Sequence, residues 1–266
     1  MRHPSFDSLA VALGVYASAV VLVVTAEATG AGLLARTPLV AAVVALLVGF
    51  AVATTRTNLV VWMVENRLYA VLALAPTVVA FFIMFADVFS IVADTTVFDW
   101  LLDTLLSVLA GLLVYVVTMR RYAAHLREHE RVLAEWTAEP DARYRWAVKG
   151  ALLITGLVFV VGSFMTVFLF GAEVYFFAVF GGMFLGYAFV AGRTKRYTLF
   201  ESGLVLEASG VVSGAFVPLG QLRSVACSER ALTIYRGLPW PFPFRCSIGD
   251  LDDPSAIEST LREQLG

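Results

Sequence analysis

Two histidines four residues apart, with a glutamate just before the second, form the run His125-Leu-Arg-Glu128-His129. On a helix this spacing sets both imidazoles on one face, as two zinc ligands require, and leaves a carboxylate beside them to activate a metal-bound water. Metal-assisted hydrolysis is the chemistry such a pattern would support. It needs a third protein ligand, which the neighbouring sequence does not supply, and in an Arg-rich connector the run reads as one side of a solvated helix. No metal and no other cofactor is therefore expected. A second group of oxygen donors, Asp99 and Asp103, falls on one helical face, with Asp87 and Asp94 across the preceding turn. Hard cations favour such ligands, but carboxylates at helix ends also simply hydrate those ends, and the set reads as an acidic outer rim.

Two further patterns bear on recognition rather than reaction. Small residues recur at every fourth position at Ala41, Ala45, Gly49 and Ala53, and again at Ala178, Gly182 and Gly186. In lipid, helix association is driven by close packing, and such stripes let backbones approach. They are expected to pack within a helix bundle; a second copy of the chain or a substrate path are the other uses. The turn Pro239-Trp-Pro-Phe-Pro-Phe244 is held extended by its prolines. Its Trp240 and Phe242 are candidate contacts for a protein partner, for the membrane interface where Trp is favoured, or for their own domain.

The elements that must position these residues follow from composition. Of 266 residues, 59% are hydrophobic and 15% charged, against about 45–50% and 25% in soluble domains, which excludes a soluble chain. A formal charge of −2 offers no basic excess for a phosphate backbone, so no nucleic-acid partner is expected. Six stretches approach the roughly 20 apolar residues that a bilayer crossing needs: Leu9 to Ala26, Pro38 to Thr55, Leu68 to Ile91, Val97 to Met119, Val148 to Phe170 and Val174 to Ala191. Their central turns hold no Asp, Glu, Lys, Arg or His.

Lys and Arg in short loops are retained on the cytoplasmic side. Arg2, Arg56, Arg67, the set from Arg120 to Lys149, Arg193, Lys195 and Arg196 all fall on one side, and Arg36 alone on the other. A multi-pass protein of the cell membrane with both termini cytoplasmic is expected. Ala26-Glu27-Ala28 after the first apolar run resembles a signal-peptide cleavage site, but that run is long for one and reads as an uncleaved helix. Cys227 and Cys246, in the cytoplasmic part, read as reduced thiols.

Residues 1–196 are thus expected to form the transmembrane domain, with residues 120–149 as a cytoplasmic helical hairpin in which Leu126, Leu133 and Trp136 mark one face, Glu128 and Arg131 pair, and Pro140 ends the first arm. From Tyr197 the pattern shifts to short runs rich in Val, Leu, Phe and Ile between Gly-containing turns, the signal of strands. They are placed at Tyr197 to Phe200, Leu204 to Glu207, Ala215 to Leu219, Leu222 to Ser228, Leu232 to Tyr235 and Phe244 to Ile248. Ile257, Leu261 and Leu265 give the last segment, Asp252 to Leu265, the face of an amphipathic helix.

Residues 197–266 resemble the bacterial PH-like domain that follows membrane helices in prokaryotic proteins, through Tyr197-Thr-Leu-Phe-Glu-Ser-Gly203, Val217-Pro-Leu-Gly-Gln-Leu222 and the final helix. The resemblance implies a small barrel or sandwich with one helix, serving binding or assembly. PH domains that hold phosphoinositides carry a basic cluster at the first hairpin, where this chain has Glu201-Ser-Gly203, and the tail sets eight acidic residues against five arginines on separate strands and turns. A protein surface is therefore the expected ligand. The function expected is that of a non-enzymatic membrane anchor acting in assembly or signalling, alone or as a homo-oligomer. A transporter or channel is the alternative, against which the lack of mid-membrane charge weighs. A membrane zinc hydrolase is third, since His125, Glu128 and His129 share the order H-x-x-E-H with inverted zinc peptidases.

Overall fold

A computed structural model describes residues 7–29, 35–55, 58–88, 97–170, 175–209, 214–237 and 243–265. The chain divides into two compact units, Met1–His125 and Leu126–Gly266.

The first unit is helical: α1 (Ser8–Thr29), α2 (Arg36–Thr55), α3 (Leu59–Glu65), α4 (Leu68–Val88) and most of α5 (Val97–His129). Asp7 caps α1 by accepting the Leu9 and Ala10 amides at 3.1 and 3.2 Å. Its carboxylate also pairs with Arg121 of α5 at 2.8 Å, which puts the first turn of α1 at the basic end of α5. Leu9, Ala12, Met63 and Val114 form a small core between α1, α3 and α5. A 64° bend separates α3 from α4; Arg67 makes it by taking a left-handed φ of 55°.

The second unit holds the end of α5, then β1 (Val132–Ala138), α6 (Ala142–Phe170), α7 (Tyr175–Val190), β2 (Lys195–Phe200), β3 (Gly203–Ala208), β4 (Gly214–Pro218), β5 (Leu222–Cys227), β6 (Ala231–Arg236), β7 (Phe244–Ser247) and α8 (Pro254–Leu265). The strands form two antiparallel sheets, ordered β1-β2-β3-β4 and β5-β6-β7. They share one core containing Tyr197, Leu204, Val225, Ile234 and Cys246, over which α8 lays Leu261. Asp253 starts α8, accepting the Ala256 amide at 3.0 Å. The six strands and the helix expected after Tyr197 are all present within a residue or two.

The helical hairpin expected over residues 120–149 is corrected at its centre: α5 ends at His129, before Arg131, and Val132–Ala138 is a strand. It pairs antiparallel with β2, setting Trp136 opposite Tyr197 and Ala138 opposite Lys195. Trp136 and Ala138 are buried while Glu135 and Thr137 are exposed, an alternation with the strand period. The rings of Trp136 and Tyr197 stack at 5.4 Å, and Arg196 pairs with Glu135. Leu126, Leu133 and Trp136 fall by chance at helical spacings; the partner β2, more than fifty residues away, decides the conformation. The sheet domain is consequently discontinuous, with α6 and α7 inserted between its first two strands.

Among the described residues four helical segments are long and apolar enough to cross a membrane, Ser8–Ala26, Arg36–Thr55, Leu105–His129 and Ala142–Thr166, or five if the bent pair α3 and α4 is one span. The described apolar run of α7, Phe177–Val190, is shorter.

Candidate functional site

Where β1 gives way to α6, the chain is laced to the far sheet. The Ser247 amide donates to the Glu139 carbonyl at 2.9 Å, and the Asp141 amide to the Arg245 carbonyl at 3.2 Å, with Pro140 bridged to Cys246 between them. The β5–β6 turn is drawn to the same place. Its Ser228 hydroxyl accepts the Ala231 amide at 3.2 Å, and the Arg230 carbonyl accepts the Ile248 amide at 3.2 Å. These bonds frame a cleft of about 430 Å³ lined by Asp141, Arg143, Ser228, Glu229, Arg230 and Arg245.

Three arginines against Asp141 and Glu229 leave the cleft a net charge of +1. Asp141 caps α6 by accepting the Tyr144 amide at 3.4 Å, and within the cleft lies 3.9 Å from Arg245. The Arg245 Nε is covered and has no hydrogen-bond partner, whereas Arg143 and Arg230 are exposed. The neighbouring Arg145 is spent on Glu139 at 2.5 Å. Chemically, the cleft offers several N–H donors to one anion, and guanidinium groups suit the oxygens of a carboxylate or phosphate.

The arginines of the tail do lie on separate strands and turns, yet two of them line this one cleft. Arg230 and Arg245 lie on different elements, and Arg143 comes from outside residues 197–266 altogether. No spacing in the sequence signals this meeting, because it depends on β1 and α6 joining the sheet domain. Within the core, burial pushes the Tyr197 hydroxyl and the Cys246 thiol up and the half-buried Lys195 ammonium down. Cys246 is accordingly a protonated core residue, and Cys227 an exposed free thiol.

His125 and His129 lie in the last turns of α5, the first half-buried and the second exposed, with Glu128 exposed between them. Among the described residues no group of three His, Cys, Asp or Glu is arranged to hold a metal ion. Residues within and just after this run tie the end of α5 to the sheet domain. Arg127 pairs with Glu207 at 2.7 Å, and Glu130 accepts the Ser202 amide at 3.0 Å. Asp99 and Asp103 lie on the first turns of α5 and Asp87 at the end of α4. Asp94, Trp240 and Phe242 lie outside the described residues.

The first small-residue stripe packs α2 on α1. A Cβ on Gly49 would come within 3.1 Å of Gly14 Cα and 3.3 Å of Ala17 Cβ, Ala53 is buried, and Ala41 and Ala45 are half-buried. The second stripe is one residue out of phase. Gly181, rather than Gly182, meets α6, where its Cβ would fall 2.9 Å from the Gly156 carbonyl oxygen, while Gly182 and Gly186 have nothing within 4 Å and Ala178 is half-buried. A shift of one residue turns a helix face by about 100°, so Phe177, Phe180 and Phe184 reach Phe159 of α6 and the glycines expected to do so face away.

Compared with protein-family models, curated proteins and solved structures, the chain matches none.

Proposed function

We propose that this is a six-crossing membrane protein with both termini in the cytoplasm, and that its split sheet domain is a PH-like module that binds and assembles rather than catalyses. The observation that carries the reading is the arrangement of four and three antiparallel strands closed by a C-terminal helix, interrupted by an apolar helix pair. Support for the orientation comes from the pairing of Asp7 with Arg121, which sets the first turn of α1 beside the basic end of α5. The apolar side chains that α6 leaves exposed, Ile154 at 67% and Phe168 at 87% among them, favour lipid as the surroundings of the inserted pair.

The test uses the full chain in its native membrane, crosslinked and then purified in mild detergent. Carbonate washing should leave it in the membrane, and a protein partner should be lost on Trp240→Ser with Phe242→Ser while Cys246 stays protected from alkylation. Solute flux in proteoliposomes would support the transporter instead, and stoichiometric zinc lost on His125→Ala the hydrolase.

A further inference from the structure

We propose that the cleft of Arg143, Arg230 and Arg245 holds the phosphodiester of an anionic membrane phospholipid, one carrying a single negative charge. The proposal rests on the reading of α6 as a membrane-crossing helix, and deepens it by naming a ligand for the sheet domain.

Position comes first. Trp146, three residues after Arg143 on α6, is 72% exposed, and an indole left bare on a lipid-facing helix settles at the headgroup level. At 1.5 Å per residue, Arg143 lies about 4.5 Å along the axis from it, on the side away from the apolar run. That is the level of the lipid phosphates. The exposed apolar face then continues through Ile154, Phe164 and Phe168, as a helix descending from that level requires.

Chemistry comes second. The Arg245 Nε is covered and unpartnered. Arg143 and Arg230 take part in none of the ion pairs among the described residues. Arg245 has only a long pair with Asp141, at 3.9 Å, and with the two unpaired arginines it brings guanidinium donors around a cleft of about 430 Å³, which a phosphate oxygen would satisfy. The net charge of +1 sets the preference for one negative charge. A headgroup with additional phosphates would bring further negative charge against Asp141 and Glu229, and like charges brought together are penalised.

The experiment is native mass spectrometry of the full chain in mild detergent, titrated with phosphatidylglycerol, phosphatidylcholine, a bisphosphorylated phosphatidylinositol or inorganic phosphate. One phosphatidylglycerol should be retained in preference to phosphatidylcholine. Arg143→Gln with Arg230→Gln should weaken it roughly 25-fold, about fivefold for each arginine, while Arg223→Gln with Arg262→Gln, an equal loss of charge elsewhere, should change it less than about twofold. Both cleft arginines are exposed, so the fold should survive; protection of Cys246 from alkylation verifies it, and Arg143→Gln alone should still cost about fivefold.

Four results would overturn the proposal: equal retention by the cleft variants, equal weakening by the control pair, displacement by inorganic phosphate at the lipid's own concentration, or much tighter binding of the bisphosphorylated lipid. Release of the chain from membranes by carbonate would instead overturn the membrane reading itself, whatever the cleft binds.

Discussion

Replacing Trp136 by Ala tests whether residues between the long apolar helices α5 and α6 are part of the core of the sheet domain. Trp136 is 6% exposed and stacks on Tyr197, so truncation removes a buried indole and leaves a cavity, at a cost of about 3–5 kcal/mol. A domain of this size has roughly 5–15 kcal/mol in all. Cys246 reports the loss, because it belongs to the same core and is fully buried. In a Cys227→Ser background, alkylation of Cys246 under native conditions follows transient opening of the domain, whose free energy the substitution lowers. Labelling should accelerate roughly a hundred- to a few thousandfold, at about 1.4 kcal/mol per factor of ten. Trp146→Ala, on the exposed face of α6, should change the rate less than about threefold, as a surface substitution within 0.5 kcal/mol would. An acceleration below tenfold for Trp136→Ala would refute the assignment of β1 to this core.

Gly181→Ala should destabilise the α6–α7 pair by about 1–3 kcal/mol, since its Cβ would meet Val160 and the Gly156 carbonyl; Gly182→Ala should leave thermal unfolding in detergent unchanged. For topology, a single Cys at Thr95 should react with an impermeant reagent from outside and one at the exposed Thr137 should not; reversed labelling would invert the orientation. Burial raises the Cys246 thiol above its ordinary 9.0, so above about pH 9 the unfolded chain binds fewer protons than the folded one and stability falls as pH rises. Melting temperature should therefore drop more steeply above pH 9 in the parent than in Cys246→Ala; Lys195 pulls in the opposite sense in both. Purified protein should contain no stoichiometric zinc, and metal lost on His125→Ala would sink that expectation.

Local signals revealed the elements whose conformation is locally decided. Alternating apolar runs between Gly-containing turns marked β2 to β7, and Ile257, Leu261 and Leu265 marked α8. The long apolar helices were equally plain, and Ala41 to Ala53 gave the α1–α2 contact because alanine and glycine leave few other faces for close approach. What stayed hidden was non-local. Val132–Ala138 carries both a weak strand alternation and a weak helical stripe, and only pairing with β2 separates them. The α6 contact of α7 is made through Gly181 against Gly156, so the fourfold spacing of Ala178, Gly182 and Gly186 did not mark that contact. The arginine cleft inherits this problem, since none of its three cations is near another in the chain.

The insertion of α6 and α7 between β1 and β2 also imposes an order on biosynthesis. When β1 leaves the ribosome its hydrogen-bonding edge has no partner, and β2 is not yet made; α6 and α7 must be synthesised first and, on the membrane reading proposed above, delivered to the bilayer. The sheet can close only after both helices have been made, so on that reading completion of the sheet domain registers insertion of the helix pair. A chain whose hairpin stalls would display Trp136 and the unpaired edges of β1 and β2 together, the kind of surface that quality-control proteases and chaperones seize. For the same reason a fragment beginning at Tyr197 would lack a strand of its own sheet, and the domain is a unit of folding without being a contiguous unit of sequence.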